Sequence, residues 1–441
     1  MATKPTAAQA KARPISKAEV EVCVGRDELP AGKLIYVKDG AREFSQFAYR
    51  EEWLAGAQAF DISPDLSPTL GYQLRRPATH GDSVFFLALG DTEPDAWGRR
   101  LISRAHAKAR RRDPSLKALT ELDYLCAVDD FSRVGALRLR DGDKGCYLRS
   151  VEEGKRTTPP LLELEKLLAA SRAVEMGQET AEDLKYLQGK GTSLGGMRPK
   201  CTLLDEGGAL ALGKFPSVQD ERSVTRAEVL ALRLAGLAGI EAAQARIVEV
   251  QGAPVAVVRR FDRTDTHARI PYMSGATLLQ AGRNEEHAYT EVLDQMRAKS
   301  ADFTADAKQL WRRLVFNHLI TNVDDHLQNI GFLYAGRNLW RLSPAFDLNP
   351  FPDKDRESKT WLSEDTGPVT SLQQLLGQAA RFTLKPQEAR LTLAQGVQAV
   401  TRWRGLAVAP DVGMSSAELE DFEPAFEHQD LREAISFVAA L

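Results

Sequence analysis

The sequence predicts an α+β protein in which a strand-rich front is followed by a mainly helical end. Short β-branched and aromatic runs, separated by Gly, Pro and Asp turn signals, follow one another over residues 20–49, as in an antiparallel sheet. Two further apolar runs over residues 201–214 flank an Asp-Glu-Gly-Gly turn and predict a hairpin. From residue 371 onward the chain reads as several helices.

The remaining elements follow in order between these landmarks. A helix is expected from about Pro94, and a second from Thr225 to about residue 237, where Thr225 and Glu228 have the spacing of a capping box. A strand pair is expected over residues 245–261. Apolar residues at helical spacing predict another helix over residues 310–323.

Composition excludes several classes of protein. The chain has 58 Lys+Arg and 61 Asp+Glu, hence a net charge of −3, which argues against a dedicated nucleic-acid binder. Its four cysteines are far apart, so neither a zinc site nor a disulfide framework is expected. No apolar run is long enough to span a membrane. Residues 1–15 are expected to be a disordered leader rather than a signal peptide, and the protein is expected to be cytoplasmic.

One charge run needs an explanation. It is a basic cluster of Arg104, His106, Lys108, Arg110, Arg111 and Arg112. It fits a solvated helix face, and it also fits a patch for an acidic partner or a phosphate backbone.

The middle of the chain contains parts that phosphoryl transfer requires. Gly195 and Gly196 lack Cβ atoms and permit a close backbone approach to a phosphate. Lys214 ends an apolar strand, so its ammonium needs an anion, for which a nucleotide phosphate and Glu228 are both candidates.

The segment over residues 322–329 is the strongest single signal. Asn329 follows Asp324 by five positions, which is the separation of the catalytic base and the metal-binding Asn in protein kinases. His326 falls where those kinases place a cation. Asp347, eighteen residues after Asn329, is placed to complete a metal site.

A metal-dependent hydrolase is the alternative from the same residues. Asp324, Asp325, His326 and Asp347 would then bind metal. That alternative leaves the glycine pair and Lys214 unexplained.

Several motifs, in their order, resemble the HipA family of serine/threonine kinase toxins from bacterial type II toxin–antitoxin systems. They are SLGGMRPK, ALGKF, VVRRFDR, TNVDDHLQN and LSPAFDLNP, with PDAWGRRLI and SRVGALRL nearer the front. The resemblance implies a two-lobed, protein-kinase-like fold of the HipA type, with an N-terminal β-rich subdomain and a mainly helical C-terminal lobe.

The resemblance also implies roles for individual residues. Catalytic roles fall on Asp324 as the base, His326 and Lys214. ATP would contact Gly195, Gly196, Met197, Arg198, Pro199, Lys200, Lys214, Arg259, Arg260, Phe261, His326, Asn329 and Asp347. Mg²⁺ would be held by Asn329 and Asp347, and Ser193 would be autophosphorylated. Residues 195–200 would form the phosphate loop, and the strand from Arg259 to Phe261 would serve as the hinge for adenine. Family members often have Glu where Arg259 stands, so a side-chain contact to adenine is not expected there.

The implied organisation has four parts. They are the leader over 1–15, a HipA-like N-terminal domain over 16–155, a nucleotide-binding lobe over 156–300 and a helical catalytic lobe over 301–441. The implied activity is ATP- and Mg²⁺-dependent phosphorylation of a cellular protein, such as an aminoacyl-tRNA synthetase or another translation factor, to arrest growth.

The implied partners are a small helix-turn-helix antitoxin, a protein substrate and, through the antitoxin, operator DNA, with no membrane involved. A chain that acts chiefly as a corepressor binding module, and a kinase for a small molecule, are the alternatives.

Overall fold

The structure is a computed structural model that describes residues 16–25, 29–79, 81–142, 161–187, 196–282 and 285–440. The expected leader, together with Ser193 and Gly195, lies outside the described residues.

An antiparallel five-stranded sheet in the order β4-β3-β2-β1-β5 forms the front of the chain. Its strands are β1 (Ser16–Val24), β2 (Leu29–Asp39), β3 (Arg42–Tyr49), β4 (Tyr72–Arg75) and β5 (Leu137–Arg140). Ser45, Phe47 and Tyr49 alternate along β3 and point into the core, as expected for a sheet with one buried face. The strand-rich front predicted from the sequence is therefore confirmed.

Four helices accompany this sheet: α1 (Glu51–Ala55), α2 (Leu87–Gly90), α3 (Ala96–Arg112) and α4 (Glu121–Ala127). Helix α3 begins after Asp95, whose carboxylate accepts a hydrogen bond from Gly98 N, an N-cap that satisfies one free amide. The basic cluster lies on this helix. Arg104 and Lys108 form salt bridges with Glu179, whereas Arg110, Arg111 and Arg112 are exposed.

The second part of the structure is built on a four-stranded antiparallel sheet in the order β6-β7-β9-β8. The elements are α5 (Leu164–Met176), α6 (Ala181–Leu187), β6 (Lys200–Leu204), β7 (Leu210–Lys214), α7 (Val224–Leu237), β8 (Ala245–Val250) and β9 (Ala253–Arg259). Leu203, Ala211 and Val257 face a core shared with α3, α5 and α6. Leu212 and Val258 face the other core, which includes α7, so this sheet lies between two helical layers.

The last part is mainly helical, with two small sheets. Its elements are β10 (Tyr272–Ser274), α8 (Gly275–Leu279), α9 (Tyr289–Lys299), α10 (Phe303–Leu319), β11 (Gly331–Gly336), β12 (Leu339–Leu342), β13 (Trp361–Ser363), β14 (Gly367–Pro368), α11 (Leu372–Gln378), α12 (Pro386–Val400), α13 (Trp403–Ala407), α14 (Ser416–Phe426) and α15 (Gln429–Ala439). Strands β10, β11 and β12 form one sheet, and β13 pairs with β14. The predicted mixture of sheets and helices is confirmed. Among the described residues, no helix is both long and apolar enough to cross a membrane.

The predicted bounds of one helix and the predicted capping box of another are wrong. Helix α10 spans Phe303–Leu319 rather than residues 310–323, because Asp302 caps its start and Thr321 adopts a left-handed φ of 54° beyond its end. The capping box at α7 does not form. Ser223 is the N-cap residue, and the Thr225 hydroxyl donates to Pro254 O at 2.8 Å, so a tertiary contact takes the place of the local one.

A buried ionic network joins the first two parts of the structure. Asp262 Oδ2 accepts hydrogen bonds from Arg260 at 2.6 Å, from Arg263 at 2.7 Å and from Gly135 N at 2.7 Å. Arg260 also donates to Ser132 O at 2.6 Å. Burial alone would raise the pKa of Asp262, but the two guanidinium groups outweigh it and hold this pKa well below its usual range. The end of β9 is thereby fixed to the segment that precedes β5.

Substitution of Asp262 tests this network. Asp262→Asn leaves Arg260 and Arg263 buried beside a neutral amide, so we expect the free energy of unfolding to fall by about 3 kcal/mol. Because the pKa of Asp262 is lower in the folded state, its contribution is present above about pH 4 and is lost as the pH falls below that value. Urea unfolding at pH 7 and at pH 3 measures both effects. Asp265→Asn is the matched control, since Asp265 pairs with Arg259 while its side chain is 90% exposed. Equal unfolding curves for the two variants would contradict the assignment.

Candidate active site

A large cleft opens between the three parts of the structure. Arg99 of α3 lines one wall, and Leu212 and Val258 of the second sheet line another. Asn329 and Phe346 close it from the helical part. The cleft therefore lies where a ligand would touch the sheet, the front domain and the segment over residues 322–329 together, a typical position for a binding site.

The predicted adenine hinge lines this cleft, but its residues differ in what they offer. Strand β9 ends at Arg259, so Arg260 and Phe261 follow the strand rather than belong to it. The side chain of Arg259 pairs with Asp265 at the surface, and that of Arg260 is buried against Asp262. Phe261 keeps an aromatic face, with its ring centroid 5.4 Å from that of Phe346. Of the three, Phe261 is thus the side chain suited to contact a flat ligand.

A buried lysine and two carboxylates form the centre of the site. Lys214 Nζ, at the end of β7, lies 2.5 Å from Glu228 Oε1 on α7 and 2.7 Å from Asp347 Oδ1. The sequence left Glu228 either as a capping residue or as a partner of Lys214, and the structure shows the second. Asp347 adopts a left-handed φ of 54°, and Asn349 donates to its carboxylate at 3.1 Å.

The pKa shifts of this triad show where the charges reside. Burial alone would lower the pKa of Lys214, but Asp347 and Glu228 outweigh it and raise this pKa. The pKa of Asp347 is lowered well below its usual range, because the charge of Lys214 overcomes the effect of burial. Burial raises the pKa of Glu228, with the nearby Asp347 adding to the effect. The lysine is therefore an ammonium and Asp347 a carboxylate.

The described part of the predicted phosphate loop runs from Gly196 into β6. Gly196 has a φ of 89°, and a Cβ there would lie 2.7 Å from Lys200 Nζ, so this position requires glycine. Lys200 is 5% exposed and lies 3.3 Å from Asp95 Oδ2. Arg198 pairs with Asp220, and Met197 is exposed. The carbonyl of Pro199 accepts a hydrogen bond from Phe215 N at 2.9 Å, which ties the loop to the end of β7.

The segment over residues 322–329 is a compact loop closed on itself. Asn329 Nδ2 donates to the backbone carbonyl of Asp324 at 2.9 Å. The carboxylate of Asp324 forms a salt bridge with Lys359. His326 precedes a short 3₁₀ turn over Leu327–Asn329, and its buried Nδ1 has no hydrogen-bond partner within the described part of the chain. Asp324 and Asn329 are thus brought together as the spacing predicts.

Asp325 has a role that the sequence did not reveal. It is buried, and its carboxylate accepts hydrogen bonds from Tyr289 Oη and from Lys359 N, both at 2.7 Å, while Thr360 Oγ1 donates to its carbonyl at 2.7 Å. Burial raises the pKa of Asp325 to about 6. Asp325 therefore anchors α9 and the segment around Lys359 to the loop. Because neighbouring residues of an extended segment point to opposite sides, Asp324 remains at the surface.

Two side chains of the site are suited to bind Mg²⁺. Asn329 and Asp347 line one small cavity and present amide and carboxylate oxygens, which are hard ligands that Mg²⁺ accepts. Within the described ranges, no group of three or more His, Cys, Asp or Glu is arranged to hold a metal. Two side-chain donors fit a Mg²⁺ that arrives with a nucleotide and takes further ligands from phosphate and water. They do not fit the protein-only site of the hydrolase alternative.

Comparison with known proteins identifies the domain that contains this site. A family model, the HipA-like C-terminal domain, matches residues 192–403. This part of the chain, a little under half of its length, is therefore similar to that domain. The match includes Lys214, Glu228, Asp324, Asn329 and Asp347. The resemblance to the HipA family inferred from the motifs is confirmed.

One solved structure and one curated relative extend the comparison. HipA from Shewanella oneidensis, in a structure with HipB and operator DNA, aligns over 96% of this chain and 98% of its own, with a TM-score of 0.65 and 15% identity. Over nearly its whole length, the chain therefore has a HipA-like fold. The Sinorhizobium fredii protein named Putative kinase Y4dM is 31% identical over 150 residues, or 31% of this chain and 36% of that protein. The match thus spans about a third of the relative.

Removal of the central cation tests the triad. Lys214→Met leaves the buried Glu228 and the partly buried Asp347 without their shared partner, so we expect the free energy of unfolding to fall by about 3 kcal/mol. Lys214→Met/Glu228→Gln removes one of the two stranded carboxyl groups, and part of that loss should return. Urea unfolding measures both variants. A double variant no more stable than the single one would show that the three groups do not act as a unit.

Proposed function

We propose that this protein is an ATP- and Mg²⁺-dependent serine/threonine protein kinase. The observation that carries the proposal is the contact of Lys214 with both Glu228 and Asp347. Asp347 lines one cavity together with Asn329, which is bonded to the backbone of Asp324. A lysine paired with a helix carboxylate, a catalytic loop with Asp and Asn five apart, and a later metal-binding Asp are the parts that protein kinases use. The HipA-like domain and fold support the same conclusion.

Each residue has a task in this proposal. Asp324 is exposed enough to meet a substrate hydroxyl, which it orients and from which it accepts the proton. Lys214 binds the donor phosphates, and the pairing with Glu228 fixes its position. Asn329 and Asp347 hold Mg²⁺, which neutralises charge on the phosphates when bound. The left-handed backbone at Gly196 allows amide groups to approach the same phosphates, and Phe261 packs against the base.

A toxin function with an antitoxin partner belongs to the same proposal. The Shewanella protein is solved with HipB and operator DNA, and this chain aligns with almost all of it. We infer a small helix-turn-helix antitoxin as the partner and operator DNA as a ligand reached through it. Growth arrest would follow from phosphorylation of a cellular protein, such as a translation factor. The exposed Arg110, Arg111 and Arg112 at the end of α3 are candidates for contacts with flanking phosphates.

Substitution of the proposed base tests the activity. Asp324→Asn keeps the shape of the side chain but cannot accept the proton, so the transfer of labelled γ-phosphate from ATP should fall by about 10²- to 10⁴-fold. The assay uses purified protein with a cell lysate as the source of acceptors. Asp353→Asn is the matched control, because Asp353 is an exposed carboxylate that pairs with Arg222. Wild-type protein that transfers no more label than Asp324→Asn would refute the kinase proposal.

The same variant separates the kinase from a corepressor. If Asp324→Asn removes toxicity but keeps antitoxin and operator binding, the chain has both functions. If toxicity and phosphate transfer are absent from the wild type while the complex with DNA forms, the corepressor alternative is correct. Label found only on a metabolite, with no labelled protein, would favour a small-molecule kinase.

Autophosphorylation at Ser193 is the regulatory part of the proposal. Ser193 precedes Gly196 by three positions, and a phosphate there would bring negative charge to a loop that must receive ATP phosphates. We expect self-labelling of the wild type to be lost in Ser193→Ala, while transfer to other proteins persists. Mass spectrometry of the labelled protein locates the phosphate. A phosphate found at another residue would assign the regulation elsewhere.

A further inference from the structure

The salt bridge between Lys359 and Asp324 places a cation on the residue proposed as the catalytic base. Lys359 precedes β13, and its ammonium contacts Asp324 Oδ1. Lys359 lies in none of the motifs that carry the family resemblance. The contact therefore adds a residue from a separate segment to the candidate site.

The backbone at Lys359 is fixed while its ammonium is exposed. Lys359 N donates to Asp325 Oδ1 at 2.7 Å, and the buried Thr360 donates its hydroxyl to Asp325 O at 2.7 Å. Ser358 ties the same segment to Val369, since Val369 N donates to Ser358 Oγ at 2.8 Å. The side chain of Lys359 is nevertheless 59% exposed, and that of Asp324 is 34% exposed. A fixed Cα with a solvent-facing ammonium keeps the cation beside Asp324 without burying either charge.

The positive charge of Lys359 beside Asp324 offsets repulsion during phosphate transfer. Transfer to a hydroxyl held by Asp324 brings the γ-phosphate toward this carboxylate, and like charges repel. An ammonium has three N–H donors, so Lys359 can hold Asp324 with one and present the others to solvent or phosphate. During transfer, the acceptor hydroxyl oxygen bonds to the γ-phosphorus, and the bond to the bridging oxygen breaks with its electron pair leaving on ADP. The hydroxyl proton passes to Asp324.

We propose that Lys359 is a positioning residue of phosphoryl transfer, whose ammonium holds the Asp324 carboxylate in place against the repulsion of the donor phosphates. The proposal rests on the kinase function proposed above. It differs from a purely structural role, because the anchoring of this segment is carried by the backbone of Lys359 and by Thr360, neither of which a change of the Lys359 side chain removes.

Steady-state kinetics with variants at Lys359 test the proposal. For Lys359→Met, kcat should fall by about 10- to 100-fold, and KM for ATP should change by less than about threefold, because the ammonium acts on the base rather than on nucleotide binding. Lys359→Arg keeps the charge and should recover most of kcat. Lys354→Met is the matched control, since Lys354 lies in the same segment and contacts the ring of Phe351. Thermal unfolding should be unchanged in all three, because the pair is exposed.

A double variant separates the outcomes. If Lys359 acts through Asp324, adding Lys359→Met to Asp324→Asn should reduce the residual rate by less than about twofold. The proposal is overturned if Lys359→Met lowers the rate of Asp324→Asn as much as it lowers that of the wild type. It is also overturned if Lys359→Met and Lys354→Met have the same kcat, or if Lys359→Met changes only KM. If Asp324→Asn lowers phosphate transfer and Lys359→Met does not, only this inference is overturned. Wild-type protein without any phosphate transfer would overturn the kinase function as well.

Discussion

The arrangement of the site depends on the pairing of the Lys214 ammonium with two carboxylates. This ammonium is buried between Glu228 of α7 and Asp347, so it joins a strand, a helix and the segment after β12 at one point. A buried ammonium is unfavourable without anions, and two buried carboxylates are unfavourable without a cation. The three groups therefore require one another. Any displacement of the second sheet relative to Asp347 separates charges inside the protein, which holds the two parts in register.

The front domain contributes to the same site through a second set of charges. Asp95 at the start of α3 reaches Lys200, and Asp262 holds the end of β9 against the segment before β5. Both contacts lie along the cleft, whose lining includes Asp95 and Asp262. The front part of the structure therefore forms one wall of the cleft.

Most of the sheets and helices could be predicted from the sequence, because turn residues and apolar spacing report on local structure. The hairpin over residues 201–214 and the proximity of Asp324 to Asn329 are of this kind. The capping box predicted at Thr225 does not form, because Glu228 pairs with Lys214, 14 positions away in the chain. This tertiary contact is more favourable than the local hydrogen bond. The predicted end of α10 is wrong because Thr321, just beyond the observed end, has a left-handed backbone conformation. The spacing of apolar residues carries no information about backbone angles.

In the candidate site, too, residues in local motifs could be predicted and residues placed by tertiary contacts could not. Lys214 and Asp347 could be proposed from the sequence, since Lys214 ends an apolar strand and Asp347 follows the segment in which Asp324 and Asn329 are five positions apart. Asp325 and Lys359 could not be placed, because their roles depend on which segments meet across more than 30 positions. A lysine in a loop and the second of two adjacent aspartates carry no local pattern that distinguishes them from surface residues.

The pairing of β6 with β7 determines which face of the sheet carries the two lysines of the site. Lys200 lies opposite Lys214 in this hairpin, so both lysines share one face of the sheet, and the next residues along, Cys201 and Gly213, share the other. The turn between the strands contains Gly207 and Gly208, both with positive φ. Because a slip of one residue reverses every side chain, the length of this surface turn decides whether two ammonium groups face the cleft or the apolar layer under α5 and α6. The number of residues in this surface turn therefore sets the side of the sheet on which the two lysines lie.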